Sequence, residues 1–340
     1  MKILAVRLLA FGIALAVRTA SGQITFPVAF DDPGAAHSAY YSELTANIQA
    51  AGAHWARFLG GTGQLSVEVV FTNSVPFAPG GSVTTGFVRN DGTRDIFEQG
   101  AAFELRTATD PNDSAPDIRI LINPDYLATN LWLDPNPTQR VDPIPPNRTD
   151  AVSVFLHELG HAFLFNGWMN GTTGELPATY MSTFDEHVIF DGTDFFFTGS
   201  NAVARYGGNV PVTFGNPFHL GNNAPRPGSD LIPDLMNGVV FDYQKRYRIS
   251  VLDLKIAQDC GIGLRPLNLQ VTAVTRMPNG HVLVVGKGDA SSFVRIDAAP
   301  SLSSTPQRIG TVPTNASGVF QFEDVDAGSF GARYYLTSYP

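Results

Sequence analysis

Residues 155–167 read FLHELGHAFLFNG. His157 and His161 stand four apart, with Glu158 beside the first. On a helix, positions i and i+4 share a face, so both imidazoles would point the same way. The flanking sequence predicts that helix. Thr149 or Asp150 supplies an N-cap after the proline-rich run LDPNPTQRVDPIPPNRTD, residues 151–166 hold no proline and one glycine, Gly160, and Gly167 suits the C′ position. Val152, Val154, Phe155, Leu156, Leu159, Phe163, Leu164 and Phe165 leave almost no polar face, which is the pattern of a buried helix. His157, Glu158 and His161 are then interior polar groups, and such groups need partners.

One partner answers for both histidines. Two imidazole nitrogens a turn apart can hold one Zn2+, and a glutamate rotated by about 100° reaches the same space without being a ligand. Zinc in a catalytic site takes three protein ligands and lowers the pKa of its water to about 7. Glu158 could take that proton and pass it to a leaving amine, which describes peptide hydrolysis without a covalent intermediate. A third ligand must come from elsewhere in the chain.

HELGHAF resembles the active-site helix of zincin metallopeptidases. The usual metzincin form has a glycine three residues after the second histidine and a third histidine three further on. Here Leu164 and Gly167 occupy those places, so the helix is expected to run one more turn and the third ligand to lie outside the short motif. Of the other histidines, His37 and His54 fit surface or packing roles near the first helix, and His281 falls in a later β-rich region. His219 is favoured. Its segment, NPFHLGNNAPRPGSDLIPDLMNG, leads to Met236 in a short turn that resembles the methionine turn of metzincins. A distant third histidine followed by such a methionine resembles the leishmanolysin-like and gametolysin-like branches. RISVLDLKIAQDCGIG (248–263) resembles the helix that follows that turn. His187, or a carboxylate such as Glu175 or Glu186, is the alternative ligand; a carboxylate would make the site thermolysin-like, that is gluzincin-like. The resemblance covers residues 38–262. It implies a secreted zinc endopeptidase acting on protein or peptide, with His157, His161 and His219 on zinc and Glu158 as general base. A surface adhesion or binding protein on a zincin scaffold is the competing class, and the intact Glu158 speaks against it.

Outward from the motif, SAYYSELTANIQAAGAHWARFL (38–59) predicts an amphipathic helix stopped by Gly60 and Gly61, and LSVEVVF (65–71) and AAFELRT (101–107) predict strands. PDIRILIN (116–123) puts Ile118, Ile120 and Ile122 on one face of a strand, either an inner one or the edge that pairs with an extended substrate. Tyr206, in FFFTGSNAVARYGGNVPV, is a candidate oxyanion donor, with packing as the other role. TDPNDSAPD (109–117) offers oxygens of the kind Ca2+ takes but lacks a recognisable loop spacing, and reads as a solvated turn. Sequons at Asn112, Asn147, Asn170 and Asn315 satisfy a loose pattern. Ser250 caps a last helix that stops near Gly261, LRPL (264–267) reads as a linker, and residues 268–340 show short strand-like runs split by turns such as Pro278-Asn279-Gly280, the pattern of a small β-sandwich. That region resembles modules appended to exported bacterial proteins, which implies attachment, substrate positioning or secretion. The expected architecture is an α+β zincin-like domain over 23–263, with a mixed sheet and the motif helix, followed by the all-β sandwich.

The N-terminus has a basic start (Lys2, Arg7), a short apolar run from Leu8 to Val17 and small residues at Ala20 and Gly22, which predicts a signal peptide over 1–22 cleaved near Gly22/Gln23. The mature chain would lose Lys2, Arg7 and Arg18, leaving 19 basic against 31 acidic residues and a net charge of −12 instead of −9. Such a chain is a poor partner for nucleic acid or anionic lipid, and no later stretch reads as a membrane span. A single cysteine, Cys260, precludes an intramolecular disulfide and reads as a buried, inert thiol.

Overall fold

The computed structural model describes residues 24–265, 268–290 and 292–339. The expected signal peptide with its cleavage site, and residues 266–267 of the expected linker, lie outside them. The fold is mixed α+β with several small sheets, and strands dominate the C-terminal part.

The sheet that matters for the site has four strands. Val28–Asp31, Val67–Phe71 and Ile118–Ile122 run parallel, and Gly80–Ser82 lies antiparallel against Ile118–Ile122 at the edge. Ile118, Ile120 and Ile122 are buried, while Arg119 between them pairs outward with Glu68 at 2.6 Å. That alternation follows the period of two that the sequence shows. PDIRILIN is therefore an inner strand, and the open edge belongs to Gly80–Ser82.

Among the described residues, six α-helices pack with this frame. α1 (Tyr41–Ala56) follows a 3-10 turn at Ser38–Tyr40. α2 (Gly100–Thr107) replaces the strand expected over 101–107. Ala101, Ala102 and Leu105 are buried together, a helical spacing, and Ala, Leu, Glu and Arg are strong helix formers. α3 (Pro124–Thr129) is capped by the Asn123 side chain. α4 (Ala151–Phe163) is the motif helix, α5 spans Ser200–Tyr206, and α6 (Val251–Asp259) starts with a capping box between Ser250 and Asp253. α4 ends three residues short of the expected 166, because Leu164 leaves helical geometry at φ −158°. Gly167 serves a different purpose from a C′ cap: a Cβ there would lie 2.5 Å from the Asp185 carboxylate, which accepts from the Trp168 and Met169 amides. Among the described residues, no helix is long and apolar enough to cross a membrane.

α4 lies in the middle of the larger core. Its neighbour α1 sends Trp55 Nε1 to donate to the Leu156 carbonyl at 2.9 Å. A charged cluster fixes its start. The buried Asp150 caps α4 through the Ser153 amide and pairs with Arg140 (2.7 Å) and Arg246 (3.2 Å), and Arg246 also reaches Asp134 at 2.7 Å.

Beyond Leu264, among the described residues, six strands form two antiparallel sheets. Val282–Lys287 lies between Gln270–Arg276 and Val319–Asp324, and Phe293–Ala299 lies between Gln307–Pro313 and Tyr334–Ser338. Val284 and Phe320 from one sheet share a separate small core with Val294 and Ile296 from the other. Arg57 joins the two regions, stacking over Tyr339 at 4.1 Å and donating to Ser292 at 3.0 Å. The expected linker is anchored at its start, where the Arg265 amide donates to the Phe58 carbonyl at 2.8 Å.

Candidate metal centre

The structure brings His157, His161 and His219 together. Their Nε2 atoms form a triangle with edges of 3.0, 3.0 and 3.1 Å. The first two come from one face of α4. The third arrives from a loop tied at both sides: the Thr213 amide donates to the His219 carbonyl at 2.9 Å, and the Leu220 amide donates to the Met236 carbonyl at 2.7 Å. Gly238 is needed here, since a Cβ on it would lie 2.7 Å from the His219 Cβ. Met236 is wholly buried against Gly160 of α4.

Hydrogen bonds at the far side of the rings decide what the triangle can hold. His157 Nδ1 faces the Leu235 carbonyl at 2.8 Å and His161 Nδ1 faces the Phe165 carbonyl at 2.5 Å. A carbonyl only accepts, so each Nδ1 carries the proton and each Nε2 presents a lone pair. Burial, then the neighbouring His161, pushes His157 down to about 3; burial pushes His161 down to about 4 and His219 well below the ordinary histidine value. Neutral imidazoles with lone pairs 3.0 Å apart repel unless a cation lies between them. A triangle of that size lets one point sit about 2.0–2.1 Å from all three nitrogens, the length of a Zn–N bond. The donor set therefore fits a zinc ion.

Glu158 is partly buried beside them. Burial raises its carboxyl to about 8, opposed by the Gly80 amide, which donates to Oε2 at 2.6 Å. Gly80 belongs to the edge strand, and nothing in its sequence context marks it. A Cβ there would lie 3.1 Å from the Glu158 Cβ, a tighter contact than most, so glycine eases the close approach of the strand to α4. His157, Glu158 and His219 open onto a cleft of about 860 Å3. The aromatic wall of this cleft was also not legible: Phe241 packs edge-on to His157, with centroids 5.1 Å apart.

The other candidates lie elsewhere. His187 Nε2 faces the Asp259 carbonyl at 2.8 Å, Glu186 pairs with Arg89, and Glu175 accepts from Thr173. Tyr206 is outside the cleft, its hydroxyl donating to Asp230 at 3.2 Å. His37 bonds Asp32, His54 is buried, and His281 faces Glu323. Cys260 is buried, as expected, and burial raises its thiol well above the ordinary value. The turn over 109–117 is mostly exposed, as expected, and only its last residue goes inside. Asp117 is buried and, with Asp110 and Glu104, forms an acidic group whose ligand atoms lie within 4.8 Å of one another.

Compared with protein-family models, with curated proteins and with solved structures, the chain gives no match.

Proposed function

We propose that this chain is an exported zinc-dependent endopeptidase of metzincin-like type, with its third histidine supplied from a distant loop. One observation carries the reading: three imidazole Nε2 atoms converge at 3.0–3.1 Å beside a cleft-facing glutamate. The helix-borne pair, the methionine packed below it and the antiparallel edge strand above it together resemble a zincin active site.

His157, His161 and His219 would hold the metal. When bound, zinc supplies a Lewis acid that acidifies water and polarises a carbonyl. The chain's own groups do the rest. With a cation on the histidines favouring its ionised form, Glu158 would take a proton from water in the cleft on a carboxylate oxygen and return it to the departing amine nitrogen. The Gly80 amide holds Glu158 Oε2 in place. The edge strand Gly80–Ser82 offers backbone groups to an extended peptide, which would add to the sheet as a further strand.

Metal analysis of wild type beside His219→Ala tests the ligand set. About one zinc per wild-type chain and a large loss in the variant are expected. Zinc retained in His219→Ala would return the third ligand to His187 or a carboxylate. Glu158→Gln should keep its zinc and lose peptide hydrolysis; full activity in that variant would remove Glu158 from the mechanism.

A further inference from the structure

The charged lining of the cleft is of one sign. Asp125, Glu158 and Asp242 face it, with no lysine or arginine among the lining residues. The walls are aromatic. Phe77 packs edge-on to Tyr126 with centroids 5.6 Å apart, and Phe241 and Tyr243 also line the space. Asn130 Nδ2 donates to the Tyr243 hydroxyl at 3.1 Å. Phe77 is 62 % exposed and Tyr243 49 % exposed, so these rings are presented to solvent rather than spent on the core.

The nearby cations are engaged. Arg148 donates to the Ala128 carbonyl at 2.9 Å. Lys245 lies 3.3 Å from Asp242, which also accepts from Tyr247, so Asp242 is partly neutralised. Asp125 uses only its backbone, receiving a bond from Thr129 and donating one to Asn123, and its carboxylate has no partner among the described residues.

We propose that the cleft selects a long basic side chain of the substrate, arginine or lysine, with its stem between the aromatic rings and its cation at Asp125. The proposal deepens the peptidase reading and rests on it for the word substrate. An aliphatic stem suits the ring faces, a guanidinium or ammonium is attracted by their negative quadrupole, and the free carboxylate neutralises the charge. A purely apolar side chain would fill the walls and leave Asp125 unused. An acidic one would meet the free Asp125 carboxylate.

The test separates the pocket from the chemistry. Alanine-based hexapeptides carrying arginine, norleucine or glutamate at each position in turn are titrated into the Glu158→Gln protein by calorimetry. At low salt the best arginine peptide should bind about tenfold more tightly than its norleucine counterpart, and the glutamate peptide most weakly. The arginine-to-norleucine ratio should collapse in Asp125→Asn and persist in Asp125→Glu, with thermal melts checking that each variant folds. Equal or tighter binding of norleucine, an unchanged ratio in Asp125→Asn, or no binding by any peptide overturns the proposal. Zinc content and digestion of unfolded casein by the wild type are measured beside it. Arginine preference without zinc or digestion rejects the peptidase reading and keeps the pocket. Digestion without that preference rejects the pocket alone.

Discussion

Met236 occupies the space that any side chain on Gly160 would need: a Cβ at Gly160 would lie 2.5 Å from the Met236 sulfur and 2.9 Å from its methyl group. The one glycine inside the motif helix is thus the point where the turn beneath the histidines meets α4. Gly160→Ala should raise helix propensity by about 1 kcal/mol yet lose stability overall, because overpacking a full core costs about 1–3 kcal/mol. Met236→Ala should lose about 2–5 kcal/mol by leaving a cavity. The double variant should recover part of both losses, with a coupling of about 0.5–3 kcal/mol in urea unfolding. Strict additivity would show that the two residues do not compete for this space.

The start of α4 rests on charge. Asp150 caps the helix and neutralises Arg140, whose side chain is almost wholly buried. Asp150→Ala removes the cap, worth about 1 kcal/mol, and strands a buried guanidinium, worth about 3–5 kcal/mol more. Asp150→Asn keeps an acceptor for the Ser153 amide and should lose less. Urea midpoints with unchanged slopes would measure both; a loss near 1 kcal/mol in Asp150→Ala would mean that Arg246 and Arg140 find other partners.

These two cases mark how far the sequence could be read. His157, Glu158 and His161 are legible because helical spacing alone puts them on neighbouring faces. Ile118, Ile120 and Ile122 are legible because a strand has a period of two. His219 is reached through Met236, a local cue near the end of its own segment. What is not legible depends on contacts across the chain. Gly80 meets Glu158 over a separation of 78 residues, and Asp134 meets Arg246 over 112. AAFELRT carries apolar residues that fit a short strand or a short helix, and only the burial of Ala101, Ala102 and Leu105 on one side decides for the helix.

The acidic group around Glu104 predicts a pH effect. Burial, then the Asp117 carboxylate, raises the Glu104 carboxyl from 4.5 to about 7. The folded chain then holds this proton more tightly than the unfolded chain. Its contribution to stability is full below the unfolded value and is lost as pH rises through about 7. Glu104→Gln has no proton to lose. The difference in melting temperature between variant and wild type should therefore move in the variant's favour between about pH 4.5 and about pH 7.5. A difference that stays flat across this window would show that the carboxyl is not raised.

The edge strand predicts a separation of metal binding from turnover. At Gly80 a Cβ would lie 3.1 Å from the Glu158 Cβ, from Ile120 Cγ1 and from the Arg119 carbonyl, so Gly80→Ala should shift the strand against α4 by a few tenths of an ångström. The amide that holds Glu158 Oε2 moves with it, while His157 and His161 stay held through Nδ1 by the Leu235 and Phe165 carbonyls, and His219 stays on its own loop. Zinc content should stay at wild-type level, and kcat/KM on a peptide should fall by about tenfold to a hundredfold, a loss of about 1.4–2.7 kcal/mol in transition-state stabilisation. Gly81→Ala is the comparison, since its Cβ would meet nothing closer than Asn166 Nδ2 at 3.9 Å, and it should lose much less. Zinc loss in Gly80→Ala would mean that the strand supports the histidines as well as the glutamate, and equal losses in both variants would mean that the Gly80 amide does not position Glu158.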